Sequence, residues 1–210
     1  MNLLHIVLFF WDYSIFLDKF QVFFKDSLVQ LTKVWIYSSI FAILSAMKTL
    51  YLIRHAKSDW SDPALNDFDR GLNKRGKRSI PLMAKALKEK GVMPDLILAS
   101  AAKRAKKTAK GLARELGYSE EIRFDESLYF TEPETMMEKI RNVDHSCETL
   151  FLIGHNPEIT ELSNILTETY IDNIPTLGIV SIALAIEKWK EVEKGKGKMQ
   201  AFIFPRMFSN

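Results

Sequence analysis

Short apolar runs alternate with amphipathic segments along most of this chain. Runs of mainly apolar and β-branched residues predict buried strands at 49–53, 96–99, 122–124 and 150–153. Between and after them, helical spacing of apolar positions, with capping and terminating residues, predicts helices over 73–90, 103–116, 131–143 and 157–166. The run at 131–134 resembles a capping box with Pro133 early in its helix, and Asn156 is suited to cap the last helix. Strands that alternate with helices in this way indicate an α/β fold.

The last part of the sequence departs from this alternation. Two further runs, at 179–187 and 199–204, read as strands, and a lysine- and glycine-rich turn at 193–198 lies between them. Two neighbouring strands joined by an exposed turn pair in the antiparallel sense. We therefore expect a mixed sheet that is mostly parallel and ends in a C-terminal antiparallel hairpin.

Residues 1–46 form a hydrophobic N-terminal extension with a different composition. They contain three Asp and three Lys, no Arg, Glu, Gly or Pro, and 11 of the 24 aromatic residues. The longest uncharged run, 34–47, falls short of the about 20 apolar residues that a membrane-spanning helix needs. Two explanations stay open: the true start is Met47, or the extension packs on the domain or associates with a membrane.

Overall charge and cysteine content exclude several classes of protein. The net charge of +3 is too small to indicate a nucleic-acid partner. The single cysteine, Cys147, excludes an internal disulfide framework and a metal site built from several cysteines. It fits a reducing compartment, so we expect a cytoplasmic protein, with membrane association if residues 1–46 are present.

Polar residues follow three of the predicted strands. Arg54 and His55 end the first, Ser100 ends the second and leads to Arg104 on the next helix, and His155 follows the fourth. The carboxyl ends of parallel strands meet at one edge of a sheet, where ligands bind. Guanidinium groups match phosphoryl oxygens, and an imidazole can attack phosphorus. The sequence thus predicts a cationic phosphate pocket at this edge.

Three motifs carry a family resemblance: Leu-Ile-Arg-His-Ala at 52–56, Ser-Ala-Ala-Lys-Arg-Ala-Lys-Lys-Thr-Ala at 100–109, and Leu-Ile-Gly-His-Asn-Pro at 152–157. Together they resemble the histidine phosphatase superfamily, also called phosphoglycerate mutase-like. Ala56 and the Asp-Arg-x-Leu segment at 69–72 are most similar to the small SixA-type phosphohistidine phosphatases. The resemblance covers 47–210 and implies one histidine phosphatase domain with a three-layer α/β/α fold.

The resemblance also implies roles for the residues of the predicted pocket. His55 would be the nucleophile and form a phosphohistidine intermediate, which requires its other ring nitrogen to keep the proton and face a backbone carbonyl. Arg54 and Arg104 would hold the phosphoryl oxygens, and His155 would hydrogen-bond them from the other side. No metal ion and no cofactor is expected, because the arginines supply the positive charge.

The remaining site candidates rest on weaker signals. Ser58 and Asn156 are candidates for substrate binding. Glu126 is the nearest candidate for a general acid and Asp125 a weaker one, but the acid motif of the larger branch is missing. An alkoxide leaving group needs a proton donor near neutral pH, whereas a departing imidazole needs less help. The missing motif therefore favours phosphoamidate substrates over sugar phosphates.

These observations lead to one functional expectation and two alternatives. We expect a phosphatase that acts on phosphohistidine in a signalling protein through a covalent intermediate on His55. The first alternative is a phosphatase of small phosphorylated metabolites. The second is a non-catalytic phosphate-binding module tethered to a membrane by residues 1–46.

Overall fold

The structure, a computed structural model, describes residues 47–208, so the expectations for the N-terminal extension concern residues outside the described part. Its six strands are β1 (Lys48–Arg54), β2 (Leu96–Ser100), β3 (Arg123–Asp125), β4 (Thr149–Gly154), β5 (Ile179–Leu184) and β6 (Gly197–Ile203). Its four α-helices are α1 (Lys74–Glu89), α2 (Lys103–Leu116), α3 (Pro133–Arg141) and α4 (Glu158–Thr167). The predicted alternation of strands and helices is confirmed.

The strands form one sheet in the order β3-β2-β4-β1-β5-β6. β1 pairs with β4, β4 with β2 and β2 with β3 in parallel, whereas β5 pairs antiparallel with both β1 and β6. The predicted mixed sheet with its C-terminal hairpin is therefore confirmed. Because two antiparallel steps separate β6 from β1, these two strands run in the same direction.

Apolar side chains pack on both faces of the sheet. Leu50 and Leu52 of β1 belong to a core shared with α3 and α4, whereas Ile53 belongs to a second core shared with α1 and α2. Successive residues of a strand point to opposite faces, so one strand supplies both cores. β4 is almost continuously apolar because it is central and covered on both faces. This gives the three layers that the resemblance implied.

Local signals explain where most helices begin and end. The side chain of Asn73 caps α1 by accepting a hydrogen bond from the backbone N–H of Gly76 at 2.8 Å. Gly117 ends α2 with a φ of 82°, a left-handed conformation that glycine adopts without steric cost. These short-range features follow directly from residue type, so the predicted bounds of both helices were close to the observed ones.

The start of α4 differs from the sequence-based expectation. Asn156 precedes a cis peptide bond to Pro157, and Pro157 occupies the cap position, with no side-chain cap. The Asn156 amide instead donates to the Asn173 side chain at 2.8 Å and to the carbonyl of Ile174 at 3.1 Å. The Asn156 side chain, which the sequence suggests as the helix cap, therefore makes tertiary hydrogen bonds instead.

No helix within residues 47–208 is long and apolar enough to cross a membrane.

Candidate active site

The carboxyl ends of the two central strands bring the predicted pocket residues together. In the parallel pairing of β1 and β4, Arg54 lies opposite Gly154, and the backbone N–H of His55 donates to the carbonyl of Gly154 at 3.0 Å. Each histidine follows its strand directly, so this register places the imidazoles of His55 and His155 side by side. Their ring centroids are 5.1 Å apart.

His55 has the hydrogen bonding of an uncharged nucleophile. It is 7% exposed, and its Nδ1 lies 2.8 Å from the carbonyl oxygen of Ala56. A carbonyl only accepts, so Nδ1 carries the proton and the lone pair resides on Nε2. Burial first, and the nearby Arg104 and Arg54, lower the pKa of His55 to about 4. The backbone partner expected for this ring is thus present, and the ring is neutral at physiological pH.

Arg104 links His55 to the loop after β1. As the second residue of α2 it is buried, and its Nε donates to His55 Nε2 at 3.2 Å. Its Nη1 donates to the backbone carbonyl of Asp67 at 2.6 Å, and its Nη2 lies 2.8 Å from the Asp67 carboxylate. The guanidinium is therefore fixed from one side by Asp67 and aimed at His55.

His155 is the second buried imidazole of the pocket. Burial first, and then His55 and Arg104, lower its pKa to about 3. Its Nε2 lies 2.8 Å from the Ser100 hydroxyl, which itself accepts from the N–H of Ala102 at 3.3 Å. The Ser100 hydroxyl has no other acceptor for its proton among residues 47–208, so it donates to Nε2, and the proton of His155 resides on Nδ1, which has no partner in the same residues. This nitrogen is free to donate to a phosphoryl oxygen.

Arg54 is held by the loop that precedes β5. Its Nη1 donates to the carbonyl of Ile174 at 2.7 Å and to the Asn173 side chain at 3.3 Å, the two acceptors that Asn156 also uses. Its buried Nε has no hydrogen-bond partner in the described part of the chain. The loop thus orients Arg54 and Asn156 together and leaves a guanidinium N–H for an anionic ligand.

Two residues of this site were missed by sequence reasoning. The Asp67 carboxylate accepts a 2.8 Å hydrogen bond from the Tyr129 hydroxyl and pairs with Arg104. The Tyr129 ring packs edge-on against His155, with centroids 5.4 Å apart. Burial favours a raised pKa for the Asp67 carboxyl, but the hydrogen bonds from Tyr129 and Arg104 outweigh burial and lower it. Both residues lie in irregular segments, where no periodic pattern distinguishes them from neighbouring polar residues.

The remaining candidates have no hydrogen bond to the pocket. Glu126 is exposed on the short 3₁₀ helix Glu126–Leu128, and its carboxylate has no hydrogen-bond partner within residues 47–208. Asp125 caps that helix through Ser127 and forms an ion pair with Lys139 at 2.7 Å. Ser58 is buried and accepts from the indole N–H of Trp60 at 2.9 Å. The structure does not connect these three side chains to His55.

Within residues 47–208, no cluster of three or more His, Cys, Asp or Glu side chains could hold a metal ion. The pocket instead combines two guanidinium groups with two neutral imidazoles. Such a donor set suits a tetrahedral oxyanion such as a phosphoryl group.

Comparison with known proteins agrees with this chemistry. The family profile described as histidine phosphatase superfamily, branch 1, matches residues 50–131. The uncharacterized protein Rv1276c of Mycobacterium tuberculosis is 33% identical over 164 residues, which cover 73% of this chain and all of that protein. The uncharacterized chloroplastic protein At3g52155 of Arabidopsis thaliana is 28% identical over 77% of this chain and 79% of its own.

Solved structures show the same fold. A crystal structure provisionally named the phosphohistidine phosphatase SixA of Agrobacterium tumefaciens is 26% identical, with a TM-score of 0.63 over 75% of this chain and 99% of that one. A protein histidine phosphatase SixA bound to tungstate gives a TM-score of 0.67 at 20% identity over 77% and 99%. With a relative that is 33% identical and aligned along its full length, and with the family profile covering Arg54 and His55, the chain belongs to the histidine phosphatase superfamily and is a phosphatase.

Proposed function

We propose that the protein hydrolyses phosphohistidine in a protein substrate through a covalent intermediate on His55. One observation carries the proposal: the Nδ1 proton of His55 is held by the Ala56 carbonyl, so that Nε2 presents its lone pair beside Arg104. A buried, neutral imidazole with a fixed tautomer is prepared for attack on phosphorus.

The reaction proceeds in two transfers of the phosphoryl group. Nε2 of His55 attacks phosphorus and forms a P–N bond, while the P–N bond to the imidazole of the substrate breaks and that imidazole takes up a proton from solvent water. Water then attacks the phosphoryl group on His55, breaks the new P–N bond and releases inorganic phosphate. Arg54 and Arg104 balance the charge of the equatorial oxygens, and the Nδ1–H of His155 donates to one of them.

The acidic residues favour a phosphoamidate substrate over a phosphate ester. An ester releases an alkoxide, which requires a protonated acid near neutral pH. Asp67 has a lowered pKa and is therefore ionised there, and Glu126 has no hydrogen bond to the pocket. A departing imidazole accepts its proton readily because its own pKa lies near neutrality. The names of the SixA structures support the same substrate class.

The test compares wild-type protein, His55→Ala and a control, His145→Ala, which removes an exposed imidazole outside the pocket. Phosphate release is measured from a phosphohistidine peptide and from a sugar phosphate. We expect the wild type to prefer the peptide, His55→Ala to lose at least roughly 10³-fold in kcat/KM, and the control to match the wild type. A wild type that hydrolyses only the sugar phosphate would contradict the proposal and support the small-metabolite alternative.

A second measurement tests the intermediate itself. Wild-type protein is quenched with alkali during turnover and examined by mass spectrometry for a phosphoryl group on His55. A phosphoryl group retained there in alkali and lost in acid is expected, since phosphoamidates are acid-labile. Turnover with no trapped phosphoryl group on His55 argues against the covalent route.

A further inference from the structure

A cavity of about 430 Å³ lies at the same edge of the sheet as the catalytic pocket, on the opposite side of β1 from β4. Because β6 runs in the direction of β1, its carboxyl end also reaches this edge, where Ile53, Ile179 and Ile203 lie in register. The segment after β6, including Phe204 and Arg206, lines the cavity together with Arg75 at the start of α1.

The walls of this cavity carry positive charge that is not neutralised nearby. Arg75, Arg78 and Ser79 share one face of α1 because of their helical spacing, and all three line this cavity or the adjoining one of about 370 Å³. Arg206 lines both. Within residues 47–208, no carboxylate lies within ion-pairing distance of these three guanidinium groups, whereas other exposed arginines, such as Arg114, are paired.

Asn173 connects the cavity to the catalytic pocket. It lines the cavity, and its side-chain oxygen accepts the hydrogen bond from Nη1 of Arg54. Thr176 lines the cavity as well, and the N–H of the next residue, Leu177, donates to the backbone carbonyls of Arg54 and His55. Asn173 thus borders both the pocket and the cavity, so a substrate with its phosphoryl group at His55 would enter the cavity by extending past this residue.

We propose that this cavity binds an acidic side chain of the phosphohistidine protein, a few residues from the phosphorylated histidine. The inference rests on the proposed function and specifies the substrate further. The guanidinium forks of Arg75 and Arg206 match a carboxylate, and the rings of Phe202 and Phe204 provide an apolar wall for its aliphatic stem. Charge complementarity selects an acidic segment over a neutral or basic one.

The test uses two phosphohistidine peptides that differ only in flanking residues, Glu in one and Gln in the other. kcat/KM is measured for both with wild-type protein, with Arg75→Gln/Arg206→Gln, and with the control Lys85→Gln/Arg114→Gln. The control removes two exposed positive charges away from the cavity, one of them on the same helix. We expect the ratio of kcat/KM for the Glu peptide to kcat/KM for the Gln peptide to fall about fivefold in Arg75→Gln/Arg206→Gln, because two exposed ion pairs with the peptide are lost. The same ratio should stay unchanged in the control.

Salt provides an independent readout. At about 0.5 M salt the screening length falls to a few Å, so the wild-type preference for the Glu peptide should largely disappear. Equal hydrolysis of both peptides by wild-type protein at low salt overturns the cavity proposal and leaves the proposed function standing. Hydrolysis of neither peptide overturns both. If Arg75→Gln/Arg206→Gln lowers kcat/KM only for a small phosphorylated hydroxy acid, the cavity binds the carboxylate of a metabolite. The protein-segment proposal is then wrong.

Discussion

At the scale of single residues, the two imidazoles of the pocket are kept neutral by their surroundings. His55 and His155 are both buried, and each lies close to Arg104 and to the other ring. A proton on either ring would lose hydration and meet positive charge, so both pKa values lie well below the ordinary value. Neutrality leaves Nε2 of His55 with the lone pair that the proposed attack on phosphorus requires, and it also makes the fold sensitive to acid.

The first prediction concerns this sensitivity. The pKa of His55 is about 4 in the folded protein and about 6.5 when unfolded. As the pH falls below 6.5, the unfolded state therefore binds a proton before the folded state does. The free energy of unfolding decreases as the pH falls from 6.5 to 4, and it increases as the pH rises over the same range. We expect His55→Asn to reduce the difference in the free energy of unfolding between pH 6.5 and pH 4 by up to about 3 kcal/mol, measured by urea denaturation. Equal pH slopes in both proteins would rule out a neutral buried imidazole.

The second prediction concerns Asp67 as a positioning residue. In Asp67→Asn the ion pair to Arg104 is lost, although the backbone carbonyl of residue 67 still accepts from Nη1. We expect kcat to fall about 10- to 100-fold with a smaller change in KM, because a charge-assisted hydrogen bond that orients Arg104 is removed. Asp62→Asn, an exposed change in the same loop, should match the wild type. If both variants lose stability and activity in parallel, Asp67 acts only on the fold.

Which site residues could be predicted depends on where they lie. Arg54 ends a clearly apolar strand, and His55 and His155 directly follow such strands, so the meeting of these side chains at one edge follows from parallel pairing. Asp67 and Tyr129 occupy irregular segments, and only the folded chain brings them to Arg104. Glu126 was suggested by chain order, which does not determine the direction in which a loop side chain points.

At the scale of elements, the start of α1 is packed directly against the segment that follows His55. A Cβ placed on Gly76 would lie 2.3 Å from the carbonyl oxygen of Lys57. The same glycine donates its N–H to the capping side chain of Asn73. The helix thus approaches the segment after His55 more closely than any side chain would allow.

The third prediction follows from this contact. Gly76→Ala forces the helix and the segment after β1 apart, and we expect a loss of about 2 kcal/mol in the free energy of unfolding together with reduced kcat/KM. Gly71→Ala is the matched control, because its new methyl group would meet only the flexible tip of Lys107. Thermal denaturation and phosphate release on the same samples measure both effects. A Gly76→Ala protein as stable as the control would contradict the close packing.

Element positions were the most predictable part of the structure. The predicted bounds 103–116 of α2 match the observed helix, because its apolar periodicity and terminal Gly117 are local signals. The predicted capping box at 131–134 is absent: Glu132 occupies the cap position with no side-chain hydrogen bond, although Pro133 begins α3 as expected. Side-chain caps are harder to predict, since tertiary partners compete for the same polar groups, as they do for Asn156.

At the scale of the whole molecule, the strand order could not be predicted from sequence periodicity. The pattern predicts a hairpin of β5 and β6, but not that β5 pairs with β1 or that β4 lies between β1 and β2. That order places the arginine-lined cavity beside the catalytic pocket, although Arg75 and Arg206 are far apart in the chain. The three layers were implied by the family resemblance, since apolar runs alone do not assign helices to the faces of a sheet.

The central position of β1 and β4 also determines how the protein loses its pocket on unfolding. Fraying of the edge strands, β3 and β6, leaves the pairing of β1 with β4 untouched. Separating His55 from His155 requires this innermost pair to part, with the apolar cores on both faces exposed to water. Fraying confined to these edge strands therefore leaves the two imidazoles in place, and their separation coincides with global, cooperative denaturation.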